Sequence, residues 1–166
     1  SKAVTSSDVA ATTGSSFTIG ETVTYQVSVV IPEGSMSSFT IVDTPPNNFD
    51  VQSASLIQDD GVTYTLAPTI TTTANDATFA FGDTTNTPDA DTETIIVQVT
   101  ATVMDDGTNN NAGAGYDNSV SVDYTENPGA ALTATAAGTL VEPSLTFGKT
   151  VAPGTGDAGD VHVYTI

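Results

Sequence analysis

Apolar and polar residues alternate over several segments of the chain, and this alternation predicts β-strands. The clearest strand is segment 21–31, in which the inward positions are Val23, Tyr25, Val27, Val29 and Ile31. Further strands are predicted over residues 2–5, 38–44, 49–58, 62–66, 77–81, 93–104, 117–125 and 131–141. No segment shows helical periodicity. Many short strands separated by turns predict an all-β, Ig-like antiparallel β-sandwich.

The segments between these strands are rich in turn-forming residues. The step Asp59-Asp60-Gly61 separates segments 49–58 and 62–66, which predicts a β-hairpin. Residues 6–16 are expected to form a polar linker, and residues 82–91 an acidic loop.

The chain contains only two basic residues, Lys2 and Lys149, and both begin the same kind of segment. Each lysine lies in a short strand-like piece, followed by a polar linker and a Gly-acid step into an alternating strand. The two alternating strands are residues 20–27 and 159–166. This pattern predicts the start of one repeat and the start of the next.

The repeat divides the chain into two parts. Residues 1–143 are predicted to form one Ig-like repeat, and residues 144–166 a linker with the first strands of the next repeat. The second part is either the beginning of a truncated domain or a strand donated to a neighbouring subunit. Both alternatives imply partners that are copies of the chain itself, in a tandem array or a head-to-tail filament.

Both lysines are in phase with apolar residues, because side chains alternate along a strand with a period of two. Lys2 shares its side with Val4, and Lys149 shares its side with Leu145, Phe147 and Val151. A buried lysine is costly unless it is paired, neutralised or chemically consumed. The alternative is that each lysine lies at a solvated strand end.

The charge of the chain narrows the classes of partner. Its 166 residues include 20 acidic residues and 2 basic ones, for a net charge of -18. This argues against nucleic acid and anionic membranes as partners, and suggests solubility in salty or calcium-rich surroundings. There is no cysteine, so disulfides do not stabilise the fold. No apolar run reaches transmembrane length, and no signal peptide is visible, which predicts a mature chain or a fragment.

Three polar residues on three different strands share the inward phase: Lys2, Asp43 and Asn118. Burial lowers the pKa of a lysine and raises that of an aspartate, which favours a neutral amine beside a protonated carboxyl. Such an amine can attack the asparagine amide, release ammonia and leave an isopeptide bond, with Asp43 as the promoting acid. Alternatively, Asp43 is a turn-entry residue that forms hydrogen bonds to the backbone near Pro45, and the Asn118 amide anchors the loop of residues 110–116.

Five stretches carry a resemblance to a known family: Gly20-Glu21-Thr22-Val23-Thr24-Tyr25, Ile41-Val42-Asp43-Thr44-Pro45, residues 81–87, Asn118-Ser119-Val120-Ser121-Val122, and residues 141–145 with Lys149. They resemble motifs of bacterial and archaeal surface-protein repeats, namely the DUF11-like repeats and the fimbrial isopeptide-forming D2 (CnaA-type) domains. The resemblance covers nearly all of residues 1–147. It implies an Ig-like fold used in stalks, pili and adhesins, and it implies that Lys2, Asn118 and Asp43 are the crosslink lysine, asparagine and acid.

The resulting hypothesis is a structural repeat of an extracellular, prokaryotic surface fibre, stabilised by a Lys2–Asn118 bond. It is not an enzyme beyond this self-catalysed step and requires no cofactor. The alternative is a calcium-dependent adhesive module that binds glycan or protein through its acidic loops. For that alternative Asp89 and Asp91 are the predicted Ca²⁺ ligands. His162 is expected to serve packing.

Overall fold

The computed structural model describes residues 1–9, 12, 14–105, 113–127, 129–141 and 148–165. Within these residues the regular structure consists of strands alone. They are β1 (Lys2–Ser7), β2 (Ser16–Phe17), β3 (Thr22–Ile31), β4 (Gly34–Thr44), β5 (Phe49–Gln58), β6 (Val62–Tyr64), β7 (Thr69–Thr72), β8 (Ala77–Asn86), β9 (Glu93–Val103), β10 (Gly115–Asp123), β11 (Leu132–Leu140), β12 (Thr150–Ala152) and β13 (Val163–Thr165). No helix in the described part of the chain could span a bilayer.

Two sheets form the sandwich. The first has the strand order β1-β3-β9-β5, and every pair in it is antiparallel. The second has the order β2-β11-β10-β4-β8-β6, and β7 also pairs with β8. Only the short β2 runs parallel to its neighbour, β11. Strands β12 and β13 form a separate antiparallel pair. The prediction of an all-β sandwich is therefore confirmed.

The core lies between the sheets and follows from the alternation in the sequence. In β9, every second residue from Glu93 to Val103 is buried, and the residues between them are half-buried. In β3, Val23, Tyr25 and Val27 are buried in the same way. Because successive side chains of a strand point to opposite faces, the apolar phase of each strand determines its inner face.

Two predictions about connections were wrong. Segments 49–58 and 62–66 do not form a hairpin, because β5 pairs with β9 in the first sheet and β6 pairs with β8 in the second. The Asp59-Asp60-Gly61 turn, with Gly61 at φ 77°, instead carries the chain from one sheet to the other. The first half of the expected acidic loop, residues 82–86, continues β8, because it pairs with β4 and β6.

Part of the predicted polar linker is structured. Within it, Ser16 begins β2, and the following Phe17 is fully buried. Phe17 lies directly against Gly138 of β11, where a Cβ atom would collide with its ring. Close packing of this kind is destabilised by added volume, so Gly138 admits the short parallel strand β2 beside β11.

Candidate functional site

Lys2 lies at the start of β1, on the edge of the first sheet, opposite Val27 of β3. Its side chain is 0% exposed and points between the two sheets. The Lys2 Nζ donates a hydrogen bond of 2.7 Å to Oδ2 of Asp43, which forms a buried ion pair. The structure therefore places this lysine in the core and not at a solvated strand end.

The second sheet supplies the aspartate and the asparagine. Strands β4 and β10 pair with Asp43 opposite Val120, so Asn118 is the diagonal neighbour of Asp43 on the same inward face. Both Asp43 and Asn118 are fully buried. The Lys2 Nζ also donates a 3.1 Å hydrogen bond to the backbone oxygen of Ser119, the residue next to Asn118. The pairing of three strands thus brings the three predicted groups into one cluster.

Several polar atoms of the cluster have no hydrogen-bond partner among the described residues. These atoms are Nδ2 and Oδ1 of Asn118 and Oδ1 of Asp43. A buried polar group without a partner costs about 1–3 kcal/mol. The Asn118 side chain thus forms no hydrogen bond of its own by distance and angle among the described residues, and its amide acts only on the nearby Asp43 carboxyl, whose charged form it favours.

Burial changes the protonation of the ion pair. Desolvation lowers the pKa of the Lys2 ammonium to about 8, against the opposing attraction and hydrogen bond of Asp43. Burial raises the pKa of the Asp43 carboxyl above its usual range, against the opposing effects of the Lys2 ammonium and the nearby Asn118 amide. Transfer of the proton from Lys2 to Asp43 is thereby made easier than it is in water. The neutral amine that results is a nucleophile.

Tyr25 forms one wall of the cluster, a role that the sequence did not indicate. Its ring centroid lies 5.3 Å from the Lys2 Nζ, and the side chain is buried. Burial, together with the charges of Asp43 and Glu21, raises the pKa of the Tyr25 hydroxyl. The aromatic face shields the ammonium from water. Its cation–π interaction stabilises the positive charge only partly.

The lowered pKa of Lys2 predicts how the stability of a chain with a free Lys2 amine responds to pH. In Asn118→Ala, which has no amide to attack, the folded Lys2 loses its proton near pH 8 and the unfolded Lys2 near its usual, higher value. Between these values the unfolded state binds more protons, so the free energy of unfolding is expected to rise from pH 8 to pH 10. Urea titrations at both pH values measure this rise. The double variant Lys2→Met/Asn118→Ala should lack it, and an equal rise in both would contradict the assignment.

Lys149 occupies a different environment from Lys2. It is exposed, and its Nζ lies 4.5 Å from the ring centroid of Tyr164. The buried phase predicted for Lys149 is therefore not formed here. Leu145 and Phe147, which were predicted to share that phase, lie outside the described residues. The pairing beside Lys149 nevertheless matches that beside Lys2, because Val151 lies opposite Tyr164 as Val4 lies opposite Tyr25.

The predicted calcium ligands lie at the surface. Asp89 and Asp91 are both exposed, and Oδ1 of Asp89 accepts a hydrogen bond from the backbone N–H of Asp91. Among the described residues, no three acidic, histidine or cysteine side chains are arranged to hold a metal ion. Calcium binding at Asp89 and Asp91 stays a prediction. His162 is half-buried, and its Nδ1 lies 2.8 Å from the backbone oxygen of Pro153.

Comparison with solved structures finds surface proteins of Gram-positive bacteria. A variant of BcpA, the major pilin subunit of Bacillus cereus, matches with a TM-score of 0.56 and 12% identity over 85% of this chain and 40% of that one. The N-terminal domain of the Streptococcus gordonii adhesin Sgo0707 matches with a TM-score of 0.55 and 17% identity over 84% of this chain and 32% of that one. Domains D2 and D3 of the Corynebacterium diphtheriae major pilin SpaD match with a TM-score of 0.50 and 14% identity, over 72% and 46%.

The chain has an Ig-like β-sandwich fold. At these identities the similarity shows the fold alone, and the chain spans less than half the length of each of the three solved chains. No protein-family model and no curated protein sequence matches the chain.

Proposed function

We propose that this chain is a structural repeat of an extracellular surface fibre, and that a Lys2–Asn118 isopeptide bond joins its two sheets. The observation that carries the proposal is the buried cluster between the sheets. Lys2 is paired with Asp43 there, beside a buried asparagine whose polar atoms have no partner among the described residues. A buried asparagine without hydrogen bonds is a poor structural element but a suitable acyl donor.

The reaction needs only the groups of the cluster. Lys2 gives a proton to Asp43, and the neutral Nζ attacks Cγ of Asn118. The protonated Asp43 carboxyl donates a hydrogen bond to Oδ1 of Asn118 and stabilises the charge that develops on that oxygen. Asp43 then gives its proton to Nδ2 and accepts the second proton from the attacking nitrogen, so that the carboxyl is protonated at the end of the reaction. The Cγ–Nδ2 bond breaks, ammonia leaves, and one new C–N bond joins Lys2 to Asn118.

The position of the bond fits a mechanical role. Lys2 lies on the edge strand of the first sheet, and Asn118 lies on β10 inside the second sheet. A covalent bond between them would prevent the two sheets from separating and β1 from being pulled away from β3. It would also supply the constraint on the unfolded chain that disulfides provide in other extracellular proteins.

The comparisons support a location at the cell surface. The similar folds include pilin subunits of Bacillus cereus and Corynebacterium diphtheriae and an adhesin of Streptococcus gordonii. The strand pair β12–β13, with Lys149 just before β12 and over the ring of Tyr164 in β13, supports an arrangement in which copies of the module follow one another. We therefore assign copies of the same chain as the partners of the module. No geometry in the described residues favours the calcium-dependent adhesive alternative.

The intact mass of the purified chain tests the bond. The expected mass is lower than the theoretical one by one ammonia, and Lys2→Ala and Asn118→Ala are each expected to have their full theoretical mass. Lys149→Ala is the matched control, because it removes the only other lysine, which is exposed. It is expected to retain the deficit. A full theoretical mass for the unaltered chain would refute the bond.

A further inference from the structure

The first sheet has an open edge beyond the start of β1. Lys2 pairs with Val27, and the backbone N–H of Ser28 donates a 2.9 Å hydrogen bond to the oxygen of Ser1, but β3 continues to Ile31. Antiparallel strands direct alternate residues to the same neighbour, so the N–H and C=O of Val30 point to the same open edge as those of Ser28. Val30 is 62% exposed. Within the described residues, no strand pairs with this end of β3 on that side.

An apolar groove lies beside this open edge. It has a volume of about 380 Å³, and its lining includes Val29 from β3, Val120 and Val122 from β10, and Leu132 and Ala134 from β11. Leu132 pairs with Val122 and points to the inner face of the second sheet, yet it is 62% exposed.

The exposure of Leu132 follows a gradient of burial along the inner face of β11. The inward residues of β11 become less covered toward its start, from the buried Ala136 through the half-buried Ala134 to Leu132. Strand β1 packs against β11, and it begins at Lys2. The groove is therefore the place where an inner-face strand would continue if β1 extended backwards by a few residues.

The C-terminal strand pair β12–β13 matches β1 and β3, so the residues before Lys149 can be compared with the position before Lys2. Val151 pairs with Tyr164, as Val4 pairs with Tyr25 in the first module. Lys149 precedes Val151 by two residues, as Lys2 precedes Val4, and each lysine lies over the matching tyrosine ring. Gly20 and Gly159, five residues before the two tyrosines, both have positive φ, at 84° and 103°. Lys149 is thus the structural counterpart of Lys2.

The residues before Lys149 have the pattern that the groove requires. In the sequence, Phe147 is two residues and Leu145 four residues before that lysine, so an extended strand would place all three side chains on one side. Placed in the same register before Lys2, the Phe147 equivalent would lie opposite Val29 and the Leu145 equivalent opposite Ile31. Both apolar side chains would then enter the groove over Leu132, and the Thr146 equivalent would pair with the free backbone of Val30.

We infer that this groove is an interface between consecutive copies of the module, and that its occupant is the Leu145–Phe147 segment of the preceding copy, joined directly to Ser1. The inference rests on the proposed repeat function and specifies how one repeat contacts the next. The donated residues lengthen the strand that carries Lys2. Tension from the preceding copy therefore enters the fold within a few residues of the proposed crosslink, and the bond carries the load before β3 does.

An N-terminal extension of the full chain tests the interface. One variant carries a copy of residues 142–147, Glu-Pro-Ser-Leu-Thr-Phe, directly before Ser1. Its matched control carries the same six residues in the order Glu-Pro-Leu-Ser-Phe-Thr, which moves both apolar side chains to the outward phase. Amide hydrogen exchange of Val30, followed by NMR, is expected to slow at least about tenfold in the first variant relative to the control. Adding Leu132→Asp to the first variant is expected to remove the protection, and Leu132 is exposed enough for this change to leave the fold intact.

Two results would overturn the inference. One is equal exchange at Val30 with the two extensions. The other is protection by the free peptide of residues 142–148 without protection by the joined extension, which would make a separate chain the occupant. The intact masses of the same samples report the Lys2–Asn118 bond, so that failure of the crosslink and failure of the groove are distinguished.

Discussion

Asn118→Ala is expected to lower the free energy of unfolding by about 5 kcal/mol, because this variant cannot form the proposed bond, which would close a loop from residue 2 to residue 118. For a chain of this size that corresponds to a drop in Tm of roughly 10–20 °C. The substitution breaks no hydrogen bond of the Asn118 side chain among the described residues. Its non-covalent cost is therefore confined to the small cavity that it leaves. Thermal and urea unfolding of the two chains measure the difference.

The double variant Lys2→Met/Asn118→Ala separates the contribution of the covalent bond to the free energy of unfolding from that of the non-covalent contacts. If the covalent bond carries the effect, either single substitution removes all of it, and the double variant is expected to lose far less than the sum of the two. The ion pair between Lys2 and Asp43 makes a separate contribution to the free energy of unfolding, and the single substitution Lys2→Met includes this contribution. Additive losses in the double variant, or a loss of only about 1 kcal/mol in Asn118→Ala, would contradict a crosslinked fold.

Asp43→Asn is expected to prevent the bond, so that this variant has its full theoretical mass. The substitution removes the carboxylate that pairs with Lys2, which in the proposed mechanism accepts the Lys2 proton and protonates the leaving nitrogen. It also leaves the Lys2 ammonium buried without its counter-ion, and breaking a buried ion pair in this way costs about 3–5 kcal/mol. Mass spectrometry and thermal unfolding on the same sample measure both effects.

Asp117→Asn is the matched control for this substitution. Asp117 is adjacent to Asn118 on β10, but it lies on the outward face and is exposed. Its replacement is expected to leave the ammonia deficit and the Tm unchanged, because an exposed carboxylate in solvent has no access to the buried amide. An ammonia deficit that persists in Asp43→Asn would show that the acid is not needed, and the proposed mechanism would be wrong.

Strand positions could be predicted well because the relevant signal is local. The alternation of Val23, Tyr25 and Val27 placed a strand where β3 lies, and the phase of Lys2, Asp43 and Asn118 gave the face on which each is buried. The alternation did not predict two of the strands, β2 and β7. Strand β2 has only two residues, and all four residues of β7 are exposed, so neither has a periodic pattern to detect.

Pairing between strands could not be predicted with the same success. The Asp59-Asp60-Gly61 turn is compatible with a hairpin, but it crosses between the sheets because β9 and β8 supply longer partners for β5 and β6. Residues 82–86 looked like a loop because their side chains are polar. They form a strand because their backbone pairs with β4 and β6. Backbone hydrogen bonds are available to any residue type, so side-chain polarity does not determine them.

The sequence by itself determined the all-β class, the inner face of each main strand and the inward phase of Lys2, because each depends on a period of two residues. The tertiary structure decided which strands are neighbours, and thereby that Lys2 from one sheet meets Asp43 and the backbone next to Asn118 from the other. It also decided that β3 extends beyond β1 and leaves a groove over Leu132. These outcomes depend on contacts between residues far apart in the chain, which no local pattern encodes.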